Sequence, residues 1–280
     1  MFSAIRACIF DMDGLLLNTE DIITTSTNLV LQKHNRPPLT PSLRVQLTGI
    51  PNSTNSDLFH AWAQLPIPRA QYASEQSAET HRTFPSCKPL PGAAKLLQNL
   101  STARSSLTGE KIELALASST KRATFELKTR REEIKELLGV FEDERRILGD
   151  DERVKKGRGK PAPDIYRVAL EAVNSSISKN AEEEGEERKK PIMPNESLVF
   201  EDSIVGVEAG RRAGMRVVWV PHVELVDGYR GMWGEILAGR TGMVRISDEE
   251  QLGEVGDGWA ETFGSLEEFD YRKYCLEIAA

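Results

Sequence analysis

Asp11 and Asp13 stand two residues apart at the end of an apolar run, ahead of a glycine and three leucines, in ACIFDMDGLLLNTED. Crowding carboxylates at the tip of a buried segment is costly unless a cation or hydrogen-bond donors compensate them. The pair is therefore either a solvated turn or part of a site that holds positive charge. Three other stretches carry polar groups at comparable places: Ser118-Ser119-Thr120, Lys160 in GRGKPAPDIY, and Glu201-Asp202-Ser203. Alone, each is ordinary. A hydroxyl triplet serves as a helix N-cap, a lysine is usually solvated, and an acid pair before a helix suits the positive end of its dipole. Gathered at one edge, they suit phosphoryl transfer. Carboxylates sharing a cleft call for a hard, oxygen-ligated cation such as Mg2+. That cation and Lys160 would attract the oxygens of a phosphate monoester, and Ser118 would add a hydrogen bond. Asp11 is then placed to attack phosphorus and form an aspartyl-phosphate. Asp13 is placed to protonate the leaving oxygen and later to activate water. Offsetting charge on the transferring group is most of what such a reaction demands.

The elements that must do this gathering follow from hydrophobic pattern. AIRACIF (4–10), IELALAS (112–118), SLVFE (197–201) and RVVWVP (216–221) are short and apolar, with RRIL (145–148) a weaker fifth run. Alternating with helical patterns, such runs predict buried parallel strands of a doubly wound α/β sheet. In an open parallel sheet, ligands bind beyond the carboxyl ends of the strands, and the polar groups above follow those ends. PGAAKLLQNL, KRATFELKTRREEIKELL, PDIYRVALEAV and SIVGVEAGRRAG supply the intervening helices. Gly206, Gly210 and Gly214 recur at every fourth position, and the expectation is close helix–sheet packing rather than a phosphate loop.

Residues 18–89 break the alternation with a helical and loop-like pattern. They predict a small helical domain inserted after the first strand, with 1–17 and 90–280 forming the core. SSISKNAEEEGEERKKP (175–191) is charged and nearly free of large apolar residues, and is expected as a floppy surface loop. Residues 223–264 are expected to hold surface excursions and a strand or two.

The chain has 280 residues, 39% hydrophobic and 28% charged, which is ordinary for a globular protein. A formal net charge of −7 argues against a nucleic-acid partner. Cys8, Cys87 and Cys275 lie far apart and outside CxxC spacing, so reduced thiols in the cytoplasm are expected. MFSAIRACIF does not read as a signal peptide, and no apolar run approaches the length of a membrane helix. KKGRGKP departs from a Walker loop: Val154 stands at its first glycine position, and Pro161 follows the lysine. No GxGxxG follows a strand. The histidines at 34, 60, 81 and 222 lack metal-ligand spacing.

FDMDGLLLNTE, LASSTKR, GKPAPDIY and VFEDSIVGVEAGRRAGM together resemble the four ordered motifs of the haloacid dehalogenase superfamily. More narrowly, they resemble its phosphatases and phosphomutases with a small helical cap. FELKT, LGDDERVKKGRGKPAPDIY and SLEEFDYRKYCL are similar to the pseudouridine-5'-phosphatase-like members. The resemblance implies a Rossmann-like core, an Asp11 nucleophile and an Asp13 general acid/base. It also implies phosphate binding by Ser118, Ser119 and Lys160. Mg2+ would be held by Asp11, the Asp13 carbonyl and Asp202, with Glu201 as ligand or acting through water. Asn18, Glu20 and Gly49 fall at the hinge and cap loop. Relatives commonly carry aspartate at Asn18 and often a basic residue at Ile50. Asp13 argues against dehalogenation, since the dehalogenases of the superfamily lack that second acid. The implied activity is Mg2+-dependent hydrolysis of a small phosphorylated metabolite, pseudouridine 5'-phosphate first among them, by a monomer. A sugar phosphomutase would use the same residues, and a silent binding protein would lack one of the acids.

Overall fold

Residues Ala7–Phe10 alternate between two apolar layers. Cys8 and Phe10 join one buried cluster and Ala7 and Ile9 the other, the signature of a strand covered on both faces. In the computed structural model, which describes residues 2–47, 52–185, 190–244, 246 and 253–278 and only the backbone of 45 and 52–56, this is the central strand β1 (Ala7–Phe10). The remaining strands are β2 (Arg104–Ser105), β3 (Glu113–Ala117), β4 (Arg146–Ile147), β5 (Ser197–Glu201), β6 (Arg216–Trp219), β7 (Ala260–Thr262) and β8 (Leu276–Glu277). A six-stranded sheet runs in the order β4-β3-β1-β5-β6-β7, and every pairing in it is parallel. Strands β2 and β8 form a separate antiparallel pair.

The helices are α1 (Glu20–Lys33), α2 (Pro41–Leu47), α3 (Asn52–Ala63), α4 (Arg69–Thr83), α5 (Ala93–Thr102), α6 (Arg122–Lys128), α7 (Glu132–Leu138), α8 (Asp164–Glu184), α9 (Ile204–Arg212) and α10 (Trp233–Leu237). Leucines and Phe125 of α5, α6 and α7 pack on one face of the sheet, while α8, α9 and α10 cover the other. Helices on both faces of a parallel sheet make the Rossmann-like α/β class that the apolar runs predicted. Helices α1–α4 carry their own small cluster of Leu31, Phe59 and Ala63. Their two connections to the sheet lie side by side: Leu17 bridges Pro89, Asn18 N–H donates to the Lys88 carbonyl at 2.9 Å, and Leu90 N–H donates to the Leu16 carbonyl at 2.9 Å.

Two local expectations are corrected. Residues 175–184 are not a floppy loop but the last part of α8, which ends at the left-handed Gly185. Ala181 is buried on that stretch, and its alanine, lysine and glutamate residues are good helix formers, so the charge of Lys179 and Glu182–Glu184 does not break the helix; of the rest, 186–189 lie outside the described residues. The Ser118-Ser119-Thr120 triplet does not cap a helix. Helix α6 begins at Arg122, with Lys121 before it, and the Arg122 N–H is met by Asp150 Oδ1 at 2.9 Å. Residues 223–264 contain the edge strand β7, as expected of that region, and also α10, a short helix that the sequence reading did not anticipate and whose Ile236 is buried in the core. Among the described residues, no helix is long and apolar enough to cross a membrane.

Candidate active site

Parallel register decides which side chains meet. Phe10 pairs with Leu116 on one side and Phe200 on the other, so the next residue of each strand places Asp11 between Ala117 and Glu201. The Asp11 N–H continues the ladder to the Phe200 carbonyl at 3.0 Å. Chain order reverses at the β1–β5 junction, because β3 and β4 lie to one side and β5 and β6 to the other. This is the switch point at which open α/β sheets leave a ligand crevice.

Lys160 arrives from the loop before α8 and is only 7% exposed. Its ammonium donates to Asp11 Oδ1 at 2.5 Å, Glu201 Oε1 at 2.6 Å and the Ala117 carbonyl at 3.1 Å, so all three of its donors are engaged. Burial alone would depress the proton affinity of this lysine, but Asp11 and Glu201 outweigh it and hold the ammonium charged. Tyr166 of α8 donates its hydroxyl to Glu201 Oε1 at 2.5 Å. Glu201 Oε2 accepts from the backbone N–H groups of Asp202 and Ser203 at 3.1 Å each and from the Ser203 hydroxyl at 3.0 Å. Glu201 is thus fully engaged in aiming Lys160 and closing the turn into α9. That closeness needs Gly206, where a Cβ would fall 1.9 Å from the Glu201 carboxylate. Gly210 approaches Val217 and Val199 in the same way, so close packing of α9 on the sheet follows from both glycines.

Asp11, Glu201 and Asp202 present carboxylate oxygens within 4.8 Å of one another. Burial is the main cause that pushes the Asp11 carboxyl up to about 7, Glu201 and Asp13 adding to it against the pull of Lys160. Burial, then Glu201, Asp11 and Glu20, push Asp202 well above the carboxylate range. Gly14, at φ +80°, lets the chain turn over Asp202; a Cβ there would stand 2.1 Å from Asp202 Oδ2 and 3.2 Å from the Glu20 Cγ.

Asp13 meets the other side of the crevice. Its Oδ1 accepts from Lys128 Nζ at 2.6 Å, and its Oδ2 from the Thr120 hydroxyl at 2.5 Å and the Ser118 hydroxyl at 3.4 Å. Burial works against the Asp13 anion, but Lys128 and Thr120 outweigh it and lower its pKa. Ser118 is fully buried, whereas Ser119 is exposed, with its carbonyl packed closely against Gly149. Glu20, the first residue of α1, has a carboxyl raised by burial and by Asp13. Asn18 lies at the paired linkers, its Oδ1 buried without a partner. Gly49 and Ile50 lie outside the described residues.

Asp11, Asp13, Ser118, Lys160, Glu201 and Asp202 therefore converge. The sequence reading missed Lys128 and Tyr166, and named Thr120 only within the hydroxyl triplet, with no role of its own. Lys128 sits on an amphipathic helix where a lysine reads as solvated, and Tyr166 reads as core; the FELKT and PDIY stretches contained both without marking a role. His34, His60 and His81 lie in the helical insertion. His222 approaches Asp21 at 3.2 Å at the outer rim.

Residues 8–220 match the family model described as haloacid dehalogenase-like hydrolase. The chain belongs to the haloacid dehalogenase-like hydrolases. It is 33% identical to a Saccharomyces cerevisiae protein named "Probable pseudouridine-5'-phosphatase", over 90% of this chain and 98% of that one. It is 32% identical to "(DL)-glycerol-3-phosphatase 1, mitochondrial" of Arabidopsis thaliana, over 84% of this chain and 70% of the relative. In three dimensions it resembles the crystal structure of a family IA, variant 3 haloacid dehalogenase hydrolase from Entamoeba histolytica. The TM-score is 0.59 at 19% identity, over 97% of this chain and 98% of that one, a likeness of fold.

Proposed function

We propose that this haloacid dehalogenase-like hydrolase is a Mg2+-dependent phosphatase of small phosphate monoesters that works through a phosphorylated Asp11. The observation that carries the reading is the pairing of two differently held acids. Asp11 lies under Lys160 Nζ at 2.5 Å, and Asp13, two residues on, is anchored separately at both of its oxygens. That difference supports Asp11 as nucleophile and Asp13 as proton carrier.

The donor set fits a hard divalent cation. Among the described residues, the carboxyls of Asp11, Asp13, Glu20, Glu201 and Asp202 crowd around the ammonium groups of Lys160 and Lys128, with Arg44 also acting on Glu20, an excess of acids that a divalent cation would balance. Asp11, Asp202 and the Asp13 carbonyl would hold the ion, while Glu201, with its oxygens engaged, orients Lys160. Bound there, Mg2+ would neutralise phosphate charge. In the proposed first half, an Asp11 oxygen bonds to phosphorus, the ester oxygen leaves, and Asp13 supplies its proton. In the second half, Asp13 takes a proton from water, the water oxygen bonds to phosphorus, and the phosphorus–Asp11 bond breaks. Lys160 and Ser118 are the groups proposed to meet the phosphoryl oxygens, Lys160 by its charge beside Asp11 and Ser118 by turning its hydroxyl from Asp13.

Residues 18–89 act as a cap on the core of 1–17 and 90–280, excluding water during the first half. Their adjacent linkers at Leu17–Pro89 support that movement. A monomer working in the cytoplasm, apart from nucleic acid and membranes, belongs to the same proposal. Pseudouridine 5'-phosphate is the first substrate to test, given the yeast relative, with glycerol 3-phosphate second, given the plant one. The test is phosphate release in Mg2+ from both esters, other nucleotides and sugar phosphates, with and without a sugar bisphosphate. Steady release from one ester without bisphosphate is expected. Turnover that demands the bisphosphate and isomerises the sugar phosphate would replace the reading with a mutase.

A further inference from the structure

Lys128 is the last residue of α6 and 3% exposed. A lysine at a helix end gains from the dipole while its ammonium stays in water. This one does not reach water. Its ammonium donates to Asp13 Oδ1 at 2.6 Å and to the Thr120 hydroxyl at 2.9 Å, and lies 4.6 Å from the centre of the Phe84 ring. Asp13 is its ion-pair partner among the described residues. Burying an ammonium costs several kcal/mol unless the pairing geometry is good, so the placement has to be read through Asp13.

Thr120 closes the arrangement. Its hydroxyl accepts from Lys128 and donates to Asp13 Oδ2, so lysine, threonine and aspartate form a triangle of hydrogen bonds. A carboxylate offers about four lone-pair positions, and Lys128, Thr120 and Ser118 occupy three of them. The Asp13 side chain remains 20% exposed toward the crevice. The carboxylate is thus held at both oxygens, with the Thr19 side chain also beside it.

We propose that Lys128 is a positioning residue that aims the Asp13 carboxylate at the water which hydrolyses phosphorylated Asp11. The proposal rests on the phosphatase reading above and deepens it. The pairing is with the carboxylate, the form that receives a proton, so it serves the second half of the reaction. There, water loses its proton to Asp13 and its oxygen bonds to phosphorus. The phosphorus–Asp11 bond breaks, and Asp11 regains its carboxylate. Phe84 lies in the segment returning from α4 to the core, so the same ammonium also touches the linker of the helical insertion.

The experiment compares wild type, Lys128→Met and Lys128→Arg with p-nitrophenyl phosphate in Mg2+, by rapid mixing and by intact mass after acid quench. A positioned base is worth about 10²–10⁴-fold. Lys128→Met is therefore expected to release a burst of p-nitrophenol near one per enzyme, followed by a steady state slowed about 100-fold, with KM falling alongside kcat. The quenched chain should carry covalent phosphate, and Lys128→Arg should recover at least tenfold. If the methionine variant does not fold, Thr120→Val takes its place with a smaller burst-to-steady-state gap. A loss of burst and steady state together, without phosphorylated chain, would reduce Lys128 to a structural role and overturn the inference alone. Wild-type protein that hydrolyses no phosphate ester would remove the phosphatase reading itself, and the inference with it.

Discussion

Asp11 illustrates how far a residue's chemistry is set by what surrounds it. Buried beside Glu201 and Asp13, its carboxyl is pushed up to about 7, where an unfolded chain would titrate near 3.8. A folded pKa above the unfolded one means that the native state binds the proton more tightly. This group therefore favours folding most below about pH 4, and that advantage is lost as pH rises toward 7. Asp11→Asn removes the charge while keeping the shape. In EDTA the variant is expected to melt above wild type at pH 8, with the gap closing toward pH 5; equal melting temperatures at pH 8 would show that the charge is not penalised. The same variant is expected to lose turnover by at least 10³-fold, because the amide cannot attack phosphorus, and unchanged phosphate release would eliminate Asp11 as nucleophile.

At the scale of elements, the crevice depends on how closely α9 can approach β5. Glu201 reaches back to Lys160 and Tyr166 because Gly206 leaves room for its carboxylate. Gly206→Ala would drive a methyl into that group, and overpacking of this kind costs roughly 1–3 kcal/mol. Lower thermal stability together with a raised KM is expected, since Lys160 loses its aim; a variant indistinguishable from wild type in both would place the Glu201 carboxylate elsewhere. The helical insertion meets the rest at its rim as well as at its linkers. Arg44 of α2 pairs with Asp21 of α1 and with Glu224 beyond β6, while Asp21 also faces His222. Each of these pairs joins a largely buried base to a more exposed acid, and pairs with one solvated partner contribute modestly.

For the whole molecule, the charge in the crevice implies a measurable dependence on cation. Mg2+ binding requires deprotonated ligands, and the two acids raised most clearly by burial, Asp11 and Asp202, are those that would hold it. Added Mg2+ is expected to raise the melting temperature of wild type more at pH 8 than at pH 5, and to do so less for Asp11→Asn. Excess EDTA should abolish phosphate release. Full activity in EDTA, or stabilisation independent of pH, would separate these carboxylates from any ion.

Periodicity alone determined the α/β class, the buried parallel strands and the helical insertion after the first of them, because apolar spacing reports which faces are covered. The order of polar stretches behind the strands likewise singled out Asp11, Asp13, Ser118, Lys160 and Asp202 before any contact was known. Tertiary structure decided the rest. Parallel register, not spacing, set Asp11 beside Glu201, and the close approach of α9 turned Glu201 toward Lys160. Lys128 became a partner of Asp13 only through the placement of α6, and in sequence it is indistinguishable from a solvated side chain; Thr120 stood in the hydroxyl triplet, but the loop after β3 decided that it faces Asp13. Residues 175–184 read as loop because their charge obscured the helical preference of their alanine, lysine and glutamate residues, which continue α8 from its buried first half. Short-range pattern reveals which surfaces must be buried; which charges then face one another depends on long-range packing that no local spacing encodes.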